Sequence, residues 1–299
     1  MRNNPLTLEE LVAPLALDEF FSLLRDRKLT HLRGTHRDRF TDLLGWDALR
    51  NLIERGEYPR GPDLRVSKES VRTPSKRWTN EGKIDPAKLE ECMKEGDSVI
   101  FNRLDGSLAP LAELCNDIKL LLIESAKAGA IVSAGDAGAL TVHYDVEDLI
   151  IIQIEGAKRW QIFGPPVSYP VKEMPKMRPP ENAPFFDEVL EPGDFLLMPA
   201  GNWHHCQTVK GRSVHLGIAF VPPTCVHVVS DLASQLSSDE MFRMPLTRIE
   251  TVPELEAFEA AVKDRLMEKI SRLELADYLT RWNRGLKAVP PVNDQADNA

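Results

Sequence analysis

Hydrophobic and polar positions follow two rhythms along this chain of 299 residues, and the rhythm changes near residue 130. Before that point apolar positions mostly recur at spacings of three and four, the period of a helix lying on a core. The spacing predicts a helix over 6–27, where Leu6-Thr7-Leu8-Glu9-Glu10 offers a capping residue and early acids. It predicts a second over 40–54, with Leu43, Leu44, Trp46, Leu49, Leu52 and Ile53 on one face. A short helix follows over 86–95 and an amphipathic one over 108–126. Short strands fall at 29–32, 64–67 and 97–101, and the polar stretch 72–85 reads as a surface loop. From Ala130 the pattern becomes short apolar runs separated by turns, the signature of β structure. The candidate strands are 130–134, 139–144, 149–156, 158–163, 194–198, 205–209 and 213–221. In the last of these, Val214, Leu216, Ile218 and Phe220 form one face. Ser213, His215, Gly217 and Ala219 form the other, with small residues that leave room for a ligand. The proline-rich stretch 165–184 reads as a loop. Helical periodicity returns at 226–236, 252–269 and 273–286. The chain thus divides into a mixed N-terminal region (1–129), a β core (130–222), a helical segment (223–287) and a disordered tail (288–299).

Composition narrows the class. An apolar content of 42% supports a core, and no run approaches the roughly 18 apolar residues that span a bilayer. A formal net charge of −9 argues against a general nucleic-acid binder. The four cysteines lack CxxC spacing and the N-terminus has no apolar signal core, which points to reduced thiols in a cytoplasm.

The candidate chemistry centres on His143 and Asp145, two residues apart. On a strand, alternation would point both side chains to one face. An imidazole and a carboxylate so placed can grip one metal ion, with a third ligand drawn from Pro199-Ala200-Gly201-Asn202-Trp203-His204-His205. Two histidines and one carboxylate leave open metal positions, as in non-haem Fe(II) oxygenases. The bland alternative makes His204 and His205 buried, hydrogen-bonded core residues. Cys206 reads as a small hydrophobe. Lys158, taken by itself, reads as a solvated lysine.

Together, His143-Tyr144-Asp145, Gln153-Ile154-Glu155-Gly156-Ala157-Lys158-Arg159-Trp160 and Pro199-Ala200-Gly201-Asn202-Trp203-His204 resemble the JmjC-type cupin family of Fe(II)- and 2-oxoglutarate-dependent oxygenases. The resemblance spans roughly residues 15–222 and is strongest to the cupin-4 group, which includes bacterial ribosomal oxygenases, and to the HIF asparaginyl hydroxylase. It implies a mainly β fold with flanking helices: a double-stranded β-helix, or jelly-roll, followed by a helical C-terminal segment. It implies that His143, Asp145 and His204 are the catalytic metal ligands, His204 being preferred to His205 because the family ligand follows the aromatic position, here Trp203. Lys158 matches the residue that pairs with the distal carboxylate of 2-oxoglutarate. Thr141 would offer the same carboxylate a hydroxyl, although some relatives place that hydroxyl where this chain has Leu140. His215 would contact cosubstrate or substrate. The implied activity is hydroxylation of a protein or peptide side chain using Fe(II), 2-oxoglutarate and O2, with release of succinate and CO2. A small-molecule hydroxylase and a non-catalytic metal-binding cupin are the alternatives. Relatives commonly dimerise through helices after the barrel, so a homodimer built on residues 252–286 is expected. No membrane and no direct nucleic-acid partner is expected.

Overall fold

The computed structural model describes residues 6–58, 63–122, 125–135, 138–175, 177–273 and 275. In chain order its helices are α1 (Leu8–Val12), α2 (Leu17–Arg25), α3 (Trp46–Glu54), α4 (Pro86–Lys94), α5 (Ala109–Leu122), α6 (Cys225–Leu236), α7 (Glu240–Arg243) and α8 (Val252–Ser271). Its strands are β1 (Thr30–Leu32), β2 (Leu64–Lys68), β3 (Val71–Arg72), β4 (Thr79–Asn80), β5 (Lys83–Ile84), β6 (Ser98–Phe101) and β7 (Ser125–Ala134). They continue with β8 (Asp148–Glu155), β9 (Lys158–Phe163), β10 (Phe186–Leu190), β11 (Phe195–Met198), β12 (Trp203–Thr208) and β13 (Arg212–Val221). Two compact units result. One comprises the chain to Lys119 with Ser125–Val221, and the other comprises 120–124 with the segment from Pro222 onward.

In the first unit an eight-stranded sheet, ordered β1-β11-β8-β13-β7-β6-β2-β3, accompanies a three-stranded sheet, β10-β9-β12. The pairings are antiparallel. Side chains of both sheets meet in one apolar cluster: Ile151, Leu196 and Met198 from the large sheet, Trp160, Ile162 and Leu190 from the small one. This is the expected jelly-roll. Four strands of the large sheet, β1, β2, β3 and β6, come from the first 129 residues. Helix α4 packs against β6 and β7, its N-terminus capped by Asp85, whose carboxylate accepts from the Ala87 and Lys88 amides.

The structure revises several elements. The run 6–27 is two helices, parted at Ala13-Pro14, where proline denies the helix a donor. The helix expected over 40–54 begins at Trp46, after Gly45, and residues before it form turns. The stretch 72–85, expected as a surface loop, holds the end of β3 and the two-residue strands β4 and β5, and Thr73 and Trp78 are buried within it. The helix ending at 126 stops at Leu122, and β7 begins at Ser125. Residues 139–144 do not form a strand. They run irregularly, and His143 alone makes a bridge, to His204. Strand β10 was not anticipated, because its Asp187 and Glu188 interrupt any apolar run. Of the helix expected over 273–286, all but 273 and 275 lies outside the described residues, as does the tail.

Strand β13 sits centrally, hydrogen-bonded to β7 and β8, and Val214, Leu216 and Ile218 are fully buried. Substituting Leu216 by Ala should therefore cost about 2–5 kcal/mol. Chemical denaturation should show a lower midpoint with an unchanged slope.

Candidate functional site

The site begins with a backbone contact. His143 N donates to His204 O at 3.1 Å and His204 N donates to His143 O at 2.7 Å. One reciprocal pair thus ties the irregular segment before β8 to β12. The turn leading into β12 is fastened to the same segment: Gly201 N donates to Asp145 O at 2.8 Å and Ala200 N to the Asp148 carboxylate at 2.7 Å. Gly201 has φ of +83°, and a Cβ there would lie 2.0 Å from the Val167 carbonyl oxygen. Only glycine fits that turn.

Each imidazole is oriented by its own neighbourhood. His143 Nδ1 lies 2.8 Å from Thr141 O, and His204 Nδ1 lies 2.9 Å from Asn202 O. A carbonyl can only accept, so both rings carry their proton on Nδ1 and leave the Nε2 lone pair free for a metal. Those Nε2 atoms lie 3.9 Å and 3.6 Å from the Asp145 carboxylate oxygens. One ligand atom from each of the three residues falls within 4.8 Å of the others, the separation that donors around one ion require. Burial, and then the neighbouring His143, lower the His204 pKa to about 4, so its ring is neutral at pH 7. His205 points to the other side of β12, with Nε2 3.9 Å from Glu69. Cys206 shares the His204 side, but burial pushes its thiol pKa up and keeps it protonated. Tyr144 packs edge-on against Trp203, with ring centroids 4.7 Å apart.

A cavity of about 380 Å³ opens on these ligands and is lined also by Trp160, Cys206, His215, Gly217 and Ala219. The small-residue face of β13 does leave the space that its alternation predicted. Lys158 is 1% exposed. Its Nζ lies 3.1 Å from Ser133 Oγ and 3.1 Å from His215 Nδ1, both uncharged partners. Burial lowers the Lys158 pKa. Burial and then Lys158 hold His215 well below the usual histidine range, so His215 accepts through Nδ1 and keeps its proton on Nε2. Ser133 belongs to a buried row, Ser67, Ser98, Ser133 and Ser213, registered across β2, β6, β7 and β13. Ser98 Oγ donates to Ser133 Oγ at 2.8 Å. A buried ammonium with no carboxylate beside it is costly, and Trp160 Nε1 is a buried donor with no partner among the described residues. The pocket has the features of a receptor for an anionic acceptor.

Thr141 is not drawn in. It is exposed, and its hydroxyl lies 3.0 Å from Ser70 Oγ, away from the cavity, while Leu140 lines the wall. The expected strand is absent here, and with it the alternation that placed Thr141 beside His143. Arg159 is held on the opposite face of β9 by two 2.6 Å hydrogen bonds to Asp187. Ser133 was missed from sequence, since a serine in an apolar strand gives no signal until the register pairs it with Lys158. His31, given no role, lies 3.2 Å from Asp194, which also accepts from the Gly34 and Glu191 amides and so pins the turn before β11.

Residues 111–228 match the JmjC domain family. A Drosophila erecta protein named bifunctional lysine-specific demethylase and histidyl-hydroxylase NO66 is 25% identical over 226 residues, covering 71% of this chain and 33% of its own length. The chain thus spans about a third of that relative. The uncharacterized protein YxbC of Bacillus subtilis is 26% identical over 294 residues, covering 91% of this chain and 84% of its own. Among solved structures, the ribosomal oxygenase YcfD of Escherichia coli in complex with cobalt and 2-oxoglutarate superposes with a TM-score of 0.55 at 19% identity, over 90% of this chain and 70% of that one. The fold and the sequence match agree over the β core: residues 111–228 resemble a JmjC domain.

Proposed function

We propose that the chain is an Fe(II)- and 2-oxoglutarate-dependent oxygenase that hydroxylates a protein or peptide side chain, releasing succinate and CO2. One juxtaposition carries this reading. Three convergent metal donors, His143, Asp145 and His204, line one cavity with His215, the partner of a buried lysine that has no carboxylate beside it among the described residues. The relatives' names, histidyl-hydroxylase and ribosomal oxygenase, and the cobalt and 2-oxoglutarate of the YcfD complex support it. When bound, the iron and cosubstrate supply oxygen activation.

This chain's own residues do the rest. The Thr141 and Asn202 carbonyls hold both imidazoles in the ligating tautomer. Asp145 would hold the ion together with the two imidazoles, a donor set that leaves positions for exchangeable ligands. Lys158 would pair with the distal carboxylate of the cosubstrate, whose charge would offset the cost of its burial. His215 accepts from Lys158 through Nδ1 and presents Nε2–H as a further donor. Ile151 and Trp160, both buried, line the cavity beside the ligands. Among the described residues no helix is long and apolar enough to cross a membrane, and we place the protein in the cytoplasm.

We further propose a homodimer. Helix α8 has no buried residue, and Leu255, Met267 and Ile270 are exposed at 50%, 63% and 47%. Apolar surface of this extent on one element usually marks an interface.

The predictions are these. Asp145→Ala should abolish 2-oxoglutarate decarboxylation while the circular dichroism spectrum stays native; full turnover in that variant would exclude the assignment. Lys158→Ala should raise the 2-oxoglutarate concentration needed for half-maximal turnover by about one to two decades, the worth of a charge-assisted hydrogen bond. The metal-free protein should lose stability as pH falls. His204 is neutral when folded down to about pH 4, whereas an unfolded histidine takes up a proton near 6.5. Between those values the unfolded state binds more protons, so stability rises with pH through that window. Melting scans from pH 7 to 4 should show the slope, and His204→Asn should flatten it. Light scattering at micromolar concentration should give twice the 33.6 kDa chain mass; a monomer mass would refute the dimer.

A further inference from the structure

The register of the large sheet orders the cavity wall into rows. Arg65, Ile100, Ile131 and His215 are cross-strand neighbours in one row, running β2-β6-β7-β13. The serine row lies next to it on one side, and Lys127 lies two rows away on the other. At the usual strand spacing Arg65 stands about 14 Å from His215, measured along the sheet. His215, hydrogen-bonded to the buried Lys158, stands at one end of this row. Arg65 stands at the other, and Arg103 and Lys127 line the same cavity.

Two observations single out the second end. Arg65 Nε is buried and has no hydrogen-bond partner among the described residues. Arg103 holds a left-handed backbone, φ 55° and ψ 39°, that a non-glycine residue adopts only at a cost. That turn is braced: the Tyr58 hydroxyl lies 2.6 Å from Asp63 O and 2.8 Å from Asn102 O, and Asn102 N donates to Asp63 O at 2.8 Å. Observed strain of this kind is a sign of function when the surroundings enforce it. Glu147 lines the same cavity and interacts with Lys127.

We infer that this end is a substrate subsite and that it takes a carboxylate: an acidic side chain of the peptide, its apolar stem lying on Ile100 and Ile131. The inference rests on the oxygenase reading above and names the substrate class. The guanidinium of Arg65 is a planar fork suited to a carboxylate. The cosubstrate would not need it, since Lys158 would meet its distal carboxylate.

The test uses full-length protein loaded with Mn(II) and 2-oxoglutarate without oxygen. Three pools of acetylated, amidated nonapeptides, randomised except for a central Glu, Gln or Lys, are selected on the immobilised protein and counted by mass spectrometry. The Glu pool should be enriched over the Gln pool about tenfold or more, and the Lys pool depleted. Arg65→Gln should remove that preference, and Arg65→Lys should restore part of it. Arg103→Gly should weaken the preference while keeping or raising the melting temperature, because glycine accepts the left-handed backbone. Equal recovery of the pools, recovery of none, or enrichment of the Lys pool overturns the inference. So does a loss of 2-oxoglutarate affinity in Arg65→Gln larger than its loss of Glu preference, which would assign Arg65 to the cosubstrate. Selection does not depend on turnover. Enrichment without any 2-oxoglutarate decarboxylation would instead sink the oxygenase reading and leave the subsite standing.

Discussion

The site depends on two hydrogen bonds. His143 and His204 are sixty-one positions apart and exchange backbone N–H and C=O groups at 3.1 and 2.7 Å. Nothing else in the segment 139–147 pairs as a strand. That single bridge sets the ring centroids 4.3 Å apart and brings Asp145 within reach of both Nε2 atoms. The Gly201–Asp145 bond and the Gly201–Val167 contact hold the bridge from the side. An irregular segment serves here where a regular strand would not. Strict alternation would put Thr141 on the ligand face, whereas the observed backbone turns it to Ser70 and uses its carbonyl to fix the His143 tautomer.

Lys158 gives the second constraint. A buried ammonium is tolerated when polar atoms meet it and when its charged state is useful. The serine row supplies the polar atoms at low volume, and it exists only because four strands keep a common register. A one-residue slip of β7 against β6 would replace Ser133 by an apolar neighbour on that face. The bulge between Val214 and His215 is where β13 changes register with β8 but not with β7. It therefore shifts the β8 side while leaving His215 aligned with Ile131.

Much of this was legible in the sequence. The alternation of β13 showed the small-residue face, and it lines the cavity. Lys158, Trp160 and Ile162 follow at period two, and all three are buried. The spacing of His143, Asp145 and His204, read through the family resemblance, named three residues that the fold brings together. What was not legible depends on pairing. Strand β10 carries Asp187, which accepts from Arg159 on β9, and Glu188, which accepts from Arg33, partners that appear only once the strands are paired. Ser133 and Arg65 belong to rows defined by register, and a single sequence does not print register. Phe40 to Gly45 has apolar residues at helical spacing, yet Gly45 and the turns before it keep the helix from starting before Trp46. In that stretch burial of Phe40, Leu43 and Leu44 is satisfied without helix, so periodicity alone misleads.

The rows also explain how one small cavity serves several charges without their cancelling. Opposite charges in a low-dielectric cavity attract strongly, and free carboxylates near Lys158 would collapse onto it. The sheet prevents this by distance. Two isoleucines, Ile100 and Ile131, separate His215 from Arg65 in the same row. Asp145 lies on the facing side, held by its own backbone to Gly201. Glu147 is two residues beyond Asp145, and it interacts with Lys127, at the opposite end from the serines. Burial, and then Asp145, raise its pKa, which further lightens the negative charge beside the metal ligands. Each charged group thus has its own station along the sheet, and the spacing of antiparallel strands sets the distance between stations.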